Sequence, residues 1–338
     1  MAHIEVRGLR KTFKVPRAAQ PGPLKGWREV FLRRWREVEV LRGLDFAIER
    51  GEFVGYIGAN GAGKSTTLKL LTGVLCPTAG QVRCAGFDPY RERYPYTYRI
   101  GVVLGQKSIL EYEVPVKASF ALYREIYELD PAVYAQRLDF FRQILGLADY
   151  WETPVRKLSF GERMRCEVAA SLLHAPEIVF LDEPTIGLDA SAKNEIRRFL
   201  RVVNGEERTT VLLTTHDMKD IEFLCRRVIL IDKGNLVWDG ELAALRATFV
   251  REKILSFRLG GVRDGEKLAG LRARALKAET SGETEAWRLA SDGLDLSAFV
   301  SELLRAAELL DFSLADPELE EVVRRIYEQS GAKAQSSA

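Results

Sequence analysis

Hydrophobic and polar residues repeat along this chain with two different periods. Continuous apolar runs at residues 53–57, 100–104, 178–181 and 210–214 predict strands that are buried on both faces, as in a parallel sheet. Between the second and third of these runs, residues 116–173 have the apolar period of helices, with breaks beside prolines. The pattern predicts an α/β fold with a helical subdomain inserted between two strands of its sheet.

The beginning of the chain has the two-residue period of half-buried strands instead. Residues 3–6 and 9–13 alternate in this way, and residues 40–48 and 81–85 add further strands. A turn at Arg50-Gly51 leads from residues 40–48 to the buried strand at residues 52–57. These segments predict an antiparallel β subdomain beside the α/β sheet.

A basic, amphipathic insertion is predicted at residues 16–38. Pro, Gly and Ala predict a loop up to residue 23, and residues 27–36 have a helical period. The apolar positions of this helix are Trp27, Val30, Phe31 and Trp35, and its arginines are Arg28, Arg33, Arg34 and Arg36. Tryptophan beside arginine is typical of a helix at a membrane interface, but the same stripe can pack on the helix's own domain. Both hypotheses stay open.

A second, smaller domain is predicted at residues 253–330, after a first domain at residues 1–248. Its strands and helices follow in the order β-α-β-β-α-β, which is the order of ferredoxin-like α+β domains. A last helix is expected at residues 317–327, and the composition of residues 331–338 predicts a disordered tail. No catalytic group of residues is apparent in this domain.

Composition and charge exclude several classes of protein. The chain has 338 residues, of which 46% are hydrophobic, so two cores are expected. Its 50 Lys and Arg against 48 Asp and Glu leave a net charge of +2, which does not indicate a nucleic-acid partner. The four cysteines lack metal-ligand spacing, and no apolar run reaches the roughly 18 to 20 residues that span a bilayer. We therefore expect a cytoplasmic location and reduced thiols.

One segment carries a recognisable phosphate-binding pattern, Gly58-Ala59-Asn60-Gly61-Ala62-Gly63-Lys64-Ser65-Thr66. It follows the buried strand at residues 53–57 and opens a periodic helix at residues 67–75, which is the context of a P-loop. Its glycines allow backbone N–H groups to surround a polyphosphate, Lys64 is placed for the β- and γ-phosphates, and the Ser65 hydroxyl is placed for Mg²⁺. The segment predicts a P-loop NTPase sheet and a nucleoside triphosphate as ligand.

Polar residues follow two other buried strands at their carboxyl ends, where open α/β sheets bind ligands. The strand at residues 178–181 ends in Asp182 and Glu183. Asp182 is expected to hold Mg²⁺ through water, and Glu183 to act as general base for the attacking water. His216 follows the strand at residues 210–214 and is placed to hydrogen-bond the γ-phosphate. Phe13 is a candidate for stacking on the purine, and it is equally well explained as a half-buried strand aromatic.

A further segment, Leu158-Ser159-Phe160-Gly161-Glu162-Arg163 ahead of a helix, makes the set resemble an ATP-binding-cassette (ABC) ATPase. The resemblance covers about residues 4–246. It implies that Gln106 is the Q-loop glutamine, a catalytic and Mg²⁺-binding residue, and that Asp189 is the D-loop aspartate. It also implies that Ser159 and Gly161 bind the ATP held by a second subunit, and that His216 and Lys64 share in catalysis.

Two residues depart from the family's Leu-Ser-Gly-Gly-Gln signature. Phe160 replaces a glycine, which implies an ordinary backbone there and adds bulk beside the nucleotide of the second subunit. Glu162 replaces the glutamine and brings a carboxylate, which is expected to weaken nucleotide binding unless Arg163 or Arg165 compensates.

More narrowly, the chain is similar to exporter ATPases that work with separate ABC-2 membrane subunits. The resemblance implies an ATPase that dimerises with itself or a related chain, at the cytoplasmic face of the membrane, and drives a permease. The second domain is similar to C-terminal domains for which pairing or regulation is suggested. An importer ATPase with a regulatory tail stays open as the alternative. A soluble cassette is disfavoured, because the chain has one P-loop and no room for a long coiled coil.

Overall fold

The computed structural model describes residues 2–16, 35–104, 108–290 and 295–336, with side chains up to residue 330. The chain forms two compact units, Met1–Glu241 and Leu242–Ala338. The division falls close to the domain boundary expected near residues 248–253. Within the described ranges, no helix combines the length and the apolarity that crossing a membrane requires.

The first unit is built on a six-stranded sheet in the order β5-β6-β7-β3-β8-β9. Its five neighbouring parallel strands are β5 (Ile100–Leu104), β6 (Ile178–Asp182), β7 (Thr210–Thr214), β3 (Phe53–Gly58) and β8 (Arg227–Asp232), and the antiparallel edge strand is β9 (Asn235–Glu241). The four apolar runs of the sequence are thus all strands of this sheet. Because they are parallel, their carboxyl ends lie at one edge, and the polar residues that follow β3, β6 and β7 meet there.

A second, antiparallel sheet in the order β2-β1-β4 consists of β1 (Ile4–Pro16), β2 (Trp35–Ile48) and β4 (Ala79–Cys84). Apolar side chains from both sheets share one buried core that also includes the P-loop helix, among them Ile4, Leu41, Tyr56, Leu68 and Phe180. This core holds the strand that enters the P-loop against the helix that leaves it.

Helices fill the connections of the first unit. They are α1 (Lys64–Leu71), α2 (Arg93–Thr97), α3 (Val116–Ile126), α4 (Pro131–Leu145), α5 (Phe160–Leu172), α6 (Ala190–Glu207) and α7 (Met218–Leu224). The three helices α3, α4 and α5 form the helical block that the sequence predicts between β5 and β6. Asp130 begins α4 by accepting hydrogen bonds from Ala132 N and Val133 N, and Gly146 ends it in a left-handed conformation.

The second unit has a four-stranded antiparallel sheet in the order β11-β12-β10-β13. Its elements are α8 (Leu242–Phe249), β10 (Glu252–Val262), α9 (Gly265–Ala273), β11 (Lys277–Ser281), β12 (Thr284–Ala290), α10 (Leu296–Ala306), β13 (Ala307–Ala315) and α11 (Leu319–Ser336). Between α8 and α11, the described elements follow in the order β-α-β-β-α-β. Trp287, Phe257 and Phe299 are buried at the centre of this unit.

Three expected boundaries differ in the structure. The P-loop helix α1 begins at Lys64 and ends at Leu71, whereas the sequence indicated residues 67–75. Trp35 lies in β2 rather than in a helix, because residues 35–48 extend the hairpin with β1, in which Pro16 is paired with Trp35. Arg36 lies in β2 as well, and residues 27–34 of the predicted amphipathic helix lie outside the described residues. Helix α11 runs to Ser336, which replaces most of the predicted disordered tail.

Candidate nucleotide-binding site

The P-loop connects the end of β3 to the start of α1, and two of its glycines have positive φ angles. Gly61 has φ 78° and Gly63 has φ 111°, a region that side-chain-bearing residues rarely adopt. A Cβ atom on Gly63 would also lie 2.5 Å from Cδ2 of the buried Leu41. Glycine at position 63 is therefore required both by the backbone and by the packing of β2 against the loop.

Lys64 is buried in the loop at the first position of α1. Its Nζ donates a hydrogen bond of 2.6 Å to the Gly58 carbonyl and lies 3.4 Å from the Ala59 carbonyl. Burial lowers the pKa of Lys64, and the carboxylates of Glu183 and Asp182 oppose this shift. The ammonium group is thus held against two carbonyl groups of the loop, with both carboxylates close enough to affect its titration.

Ser65 and Asp182 provide oxygen atoms of the kind that Mg²⁺ prefers. The Ser65 hydroxyl donates to Asp182 Oδ2 at 3.3 Å, and the Thr214 hydroxyl at the end of β7 donates to Asp182 Oδ1. No group of three or more His, Cys, Asp or Glu side chains suited to a metal occurs in the part of the chain that the structure describes. A magnesium ion here would complete its coordination with phosphate oxygens and water, as is usual for nucleotide sites.

Glu183 and His216 contact each other at the carboxyl edge of the sheet. Glu183 Oε1 lies 2.9 Å from His216 Nε2, which in turn lies 3.5 Å from Lys64 Nζ. Glu183 has a left-handed backbone with φ 54°, and its N–H donates to the Thr214 carbonyl at 2.9 Å. Lys64, Glu183 and His216 are remote in sequence and are brought together by β3, β6 and β7. The sequence predicts them as a phosphate ligand, a general base and a hydrogen-bonding partner of the γ-phosphate.

These groups line one pocket of about 330 Å³. Its lining residues are Val40, Ala59, Asn60, Gly61, Gly63, Lys64, Ser65, Thr66, Glu183 and His216. Gly58 and Ala62, also predicted for the site, lie behind it: the Gly58 carbonyl accepts from Lys64, and Ala62 is buried. The pocket is polar on the P-loop side and carries acid and imidazole on the other.

The segment around Ser159 forms the N-terminus of α5. Ser159 and Glu162 form a capping box, in which Ser159 Oγ accepts from Glu162 N at 3.3 Å and the Glu162 carboxylate accepts from Ser159 N at 2.8 Å. Phe160 begins the helix without a positive φ, as its residue type requires. The Arg163 guanidinium lies 5.2 Å from the Phe160 ring centroid. The carboxylate of Glu162 is therefore held by the helix end, and Phe160 is partly exposed beside it.

Comparison with known proteins identifies the family of this chain. A model of the ABC transporter family matches residues 41–186. The ABC transporter ATP-binding protein NatA of Bacillus subtilis is 32% identical over 215 residues, which cover 64% of this chain and 87% of that protein. The daunorubicin resistance ATP-binding protein DrrA3 of Streptomyces coeruleorubidus is 36% identical over 215 residues, or 64% and 67% of the two chains.

The chain belongs to the ATP-binding proteins of ABC transporters. As a member of this family, it is an ATP-hydrolysing, nucleotide-binding subunit. Among solved structures, a dimeric ATP-binding cassette in a post-hydrolysis state, bound to ADP and Pi, superposes with a TM-score of 0.58 at 22% identity. The match covers 71% of this chain and 98% of that one. At this identity the likeness shows the fold alone, and it agrees with the predicted cassette architecture.

Three predicted residues of the ABC cassette lie apart from the pocket of their own chain. Ser159 and Gly161 are at the start of α5, and the Asp189 side chain begins α6 by accepting from Ala192 N at 2.9 Å. None of the three lines the P-loop pocket. A Cβ atom added to Gly161 would lie 3.6 Å from the Cβ atom of Ala192. The signature and D-loop segments of this ABC protein therefore pack together.

Two other predictions have different outcomes. Phe13 is half-buried on β1, with Lys11 Nζ 5.1 Å from its ring centroid, and it does not line the pocket. Val40 on β2 lines the pocket. Stacking of Phe13 on a base stays a prediction. Gln106 lies outside the described residues, and its role in the ABC site also stays a prediction.

Sequence reasoning missed a buried polar cluster directly behind Glu183 and His216. Asp220 on α7 accepts hydrogen bonds from Thr185, Thr215 and Arg197. The threonines flank the predicted catalytic residues in sequence, which was the only available signal. Asp220 itself has no sequence pattern, because its partners come from three different segments of the ABC fold.

Proposed function

We propose that this protein hydrolyses MgATP at a composite site between two ATPase subunits and thereby drives an ABC-2-type membrane permease, as part of an exporter. The observation that carries the proposal is the contact of Glu183 with His216, 2.9 Å apart and beside Lys64 of the P-loop. An acid and an imidazole at this place suit the deprotonation of water and the binding of a γ-phosphate, respectively.

The residues of the pocket divide the work of hydrolysis. Backbone N–H groups of residues 60–66 and the Lys64 ammonium bind the phosphates, and electrostatic stabilisation of phosphate charge is the main source of catalysis in such reactions. Ser65, Gln106 and Asp182, the last through water, would hold Mg²⁺, which neutralises charge on the β- and γ-phosphates. Glu183 accepts the proton of the attacking water, and His216 donates to the γ-phosphate.

A second subunit completes this site. Ser159, Gly161 and Asp189 do not line the pocket of their own chain, yet the helix end at Ser159 is a favourable place for an anion. The dimeric state of the superposed cassette supports an arrangement in which these residues contact ATP held by the other subunit. The capping box keeps the Glu162 carboxylate on its own helix, which limits its repulsion of that ATP. The second subunit is a copy of this chain or a related ATPase.

The proposed direction of transport rests on relatives. The DrrA3 relative is named for daunorubicin resistance, and others are named for Nod factor export and fluoroquinolone export. We infer that this protein acts at the cytoplasmic face of the cell membrane on separate permease subunits. Purification of the tagged protein from membranes, followed by identification of co-purifying proteins, tests this part. We expect ABC-2-type membrane subunits to co-purify, whereas a substrate-binding protein in the complex would indicate an importer.

The catalytic proposal is tested with Glu183→Gln. The amide keeps the size of the side chain but cannot accept the proton, so turnover should fall by about 10²-fold or more while ATP still binds. ATP should then hold the variant as a dimer, measured by light scattering. Glu177→Gln, at the residue that precedes the first residue of β6, is the matched control and should hydrolyse ATP normally. Normal turnover of Glu183→Gln would refute the role of Glu183.

A further inference from the structure

A single buried carboxylate lies behind the two residues proposed to act on the γ-phosphate. Asp220, on α7, has no solvent exposure. Its Oδ2 accepts hydrogen bonds from the Thr185 hydroxyl and, at 3.1 Å, from the Thr215 hydroxyl, while Oδ1 accepts from Arg197 Nε at 2.5 Å. Arg197 is itself only 8% exposed. Both oxygens of Asp220 are thus used inside the protein.

The partners of Asp220 come from three segments, two of which carry the residues proposed to act on the γ-phosphate. Thr185 follows Glu183 by two residues, and Thr215 directly precedes His216. Arg197 belongs to α6, the helix that begins at Asp189. One carboxylate therefore connects the loop of the general base, the loop of the histidine and the helix of the D-loop.

The backbone at Glu183 requires such support. A glutamate with φ 54° is strained, and such conformations persist where the surrounding structure holds them. On one side, Glu183 N donates to the Thr214 carbonyl at 2.9 Å. On the other, Thr185 is buried and its hydroxyl is bound to Asp220. Loss of the second contact would free the segment after Glu183 to relax towards an ordinary backbone and would displace the carboxylate.

A neighbouring carboxylate completes the network around Arg197. Asp217 Oδ2 lies 2.7 Å from Lys193 Nζ and 3.4 Å from Arg197 Nη2. Burial raises the pKa of Asp217, but the hydrogen bond and charge of Lys193 outweigh this and leave the pKa lowered. Asp217 cannot replace Asp220, because its own side chain is taken by Lys193 and by the N-terminus of α7, where it accepts from Lys219 N at 3.0 Å.

We propose that Asp220 is a positioning residue for ATP hydrolysis: through Thr185 and Thr215 it holds Glu183 and His216 in mutual contact, and through Arg197 it couples them to the D-loop helix. The inference rests on the roles proposed for Glu183 and His216. Asp220 does not line the nucleotide pocket, so its effect is on the rate of the chemical step rather than on ATP binding.

The test compares two variants that each remove one arginine-bound carboxylate. Asp220→Asn should lower kcat by about 10- to 100-fold with little change in the KM for ATP, because small displacements of catalytic groups reduce rates to this extent. Glu207→Gln is the matched control: Glu207, at the end of α6, binds Arg137 at 2.9 Å, but it lies outside the network. It should lose stability without losing kcat, with melting temperatures measured for both.

A second pair of variants tests the contact without touching the buried charge. Thr185→Val removes the hydroxyl that donates to Asp220 and keeps a similar shape, whereas Thr185→Ser retains the hydroxyl. We expect Thr185→Val to lower kcat as Asp220→Asn does, and Thr185→Ser to retain the kcat of the unchanged protein. This pair decides the question if Asp220→Asn fails to fold. Equal turnover of the valine and serine variants would overturn the proposal.

A double variant separates this inference from the proposed function. If Asp220 acts by placing Glu183, Asp220→Asn should cause no further loss of turnover in a Glu183→Gln background. Normal turnover of Glu183→Gln alone would refute the proposed function. A slow Glu183→Gln enzyme together with an Asp220→Asn enzyme whose kcat matches that of Glu207→Gln would refute only the positioning role.

Discussion

His174, near the end of the helical subdomain, should make the stability of the first unit depend on pH. Its ring stacks on Tyr127 with the centroids 3.8 Å apart, and Nε2 donates to the Ile100 carbonyl at 2.9 Å. Nδ1 is buried without a hydrogen-bond partner among the described residues. Burial lowers the pKa of His174 from 6.5 to about 4, and the charge of Arg137 adds to this. Protonation would place an N–H and a charge where no acceptor is available.

The sign and size of the effect follow from this pKa. In the unfolded chain the imidazole binds a proton below about pH 6.5, whereas in the folded chain it does so only below about pH 4. The unfolded state therefore binds more protons between these values, and the free energy of unfolding falls as the pH is lowered. The full effect is about 3 kcal/mol, of which about 2 kcal/mol is reached near pH 5.

The assay is urea denaturation of the protein and of His174→Gln at about pH 7.5 and about pH 5. Glutamine is uncharged at both pH values and carries an N–H for the Ile100 carbonyl. The native protein should lose about 2 kcal/mol more than the variant between the two pH values. His3 has a lowered pKa as well and shifts both proteins equally. Equal losses would refute the assignment of a buried, neutral His174.

Two further predictions concern packing near the site. Gly63→Ala should destabilise the protein by about 1–3 kcal/mol more than Gly61→Ala, and it should weaken ATP binding more. Both residues have positive φ, but only a Cβ on Gly63 meets Leu41. Equal denaturation curves of the two variants would contradict this. Glu167 on α5 is 4% exposed and accepts from Ile109 N at 2.9 Å. In urea denaturation, Glu167→Leu should lower the free energy of unfolding by about 1–3 kcal/mol more than Glu167→Gln, because leucine leaves that N–H unsatisfied. Similar losses would show that the hydrogen bond contributes little.

Most of the nucleotide site could be predicted from the sequence because its parts are local. The P-loop is one continuous segment of nine residues, in which the glycines shape the backbone and Lys64 and Ser65 contribute their side chains. Asp182, Glu183 and His216 could be recognised because each follows an apolar strand, and parallel strands end at the same edge of a sheet. The signature segment was recognised from its resemblance to a family.

Residues whose role depends on partners elsewhere in the chain could not be predicted in this way. The weakening of nucleotide binding expected from Glu162 stays a prediction, whereas its place in a capping box with Ser159 appears only in the structure. Trp35 suggested a helix, yet its pairing with Pro16 places it in a strand, since tertiary pairing overrides a short amphipathic pattern. Phe13 stays a candidate for stacking on a base, and the structure adds that Val40, which the sequence analysis did not name, lines the pocket.

The sequence by itself determined four strands of the parallel sheet, the helical block, the P-loop and the polar residues that follow three of those strands, because periodicity and motifs are properties of neighbouring residues. The tertiary structure alone decided which of these residues meet. The 2.9 Å contact between Glu183 and His216 joins residues more than 30 positions apart, and so does the hydrogen bond from Thr185 to the buried Asp220. Such contacts depend on sheet order and side-chain packing, which no local pattern records.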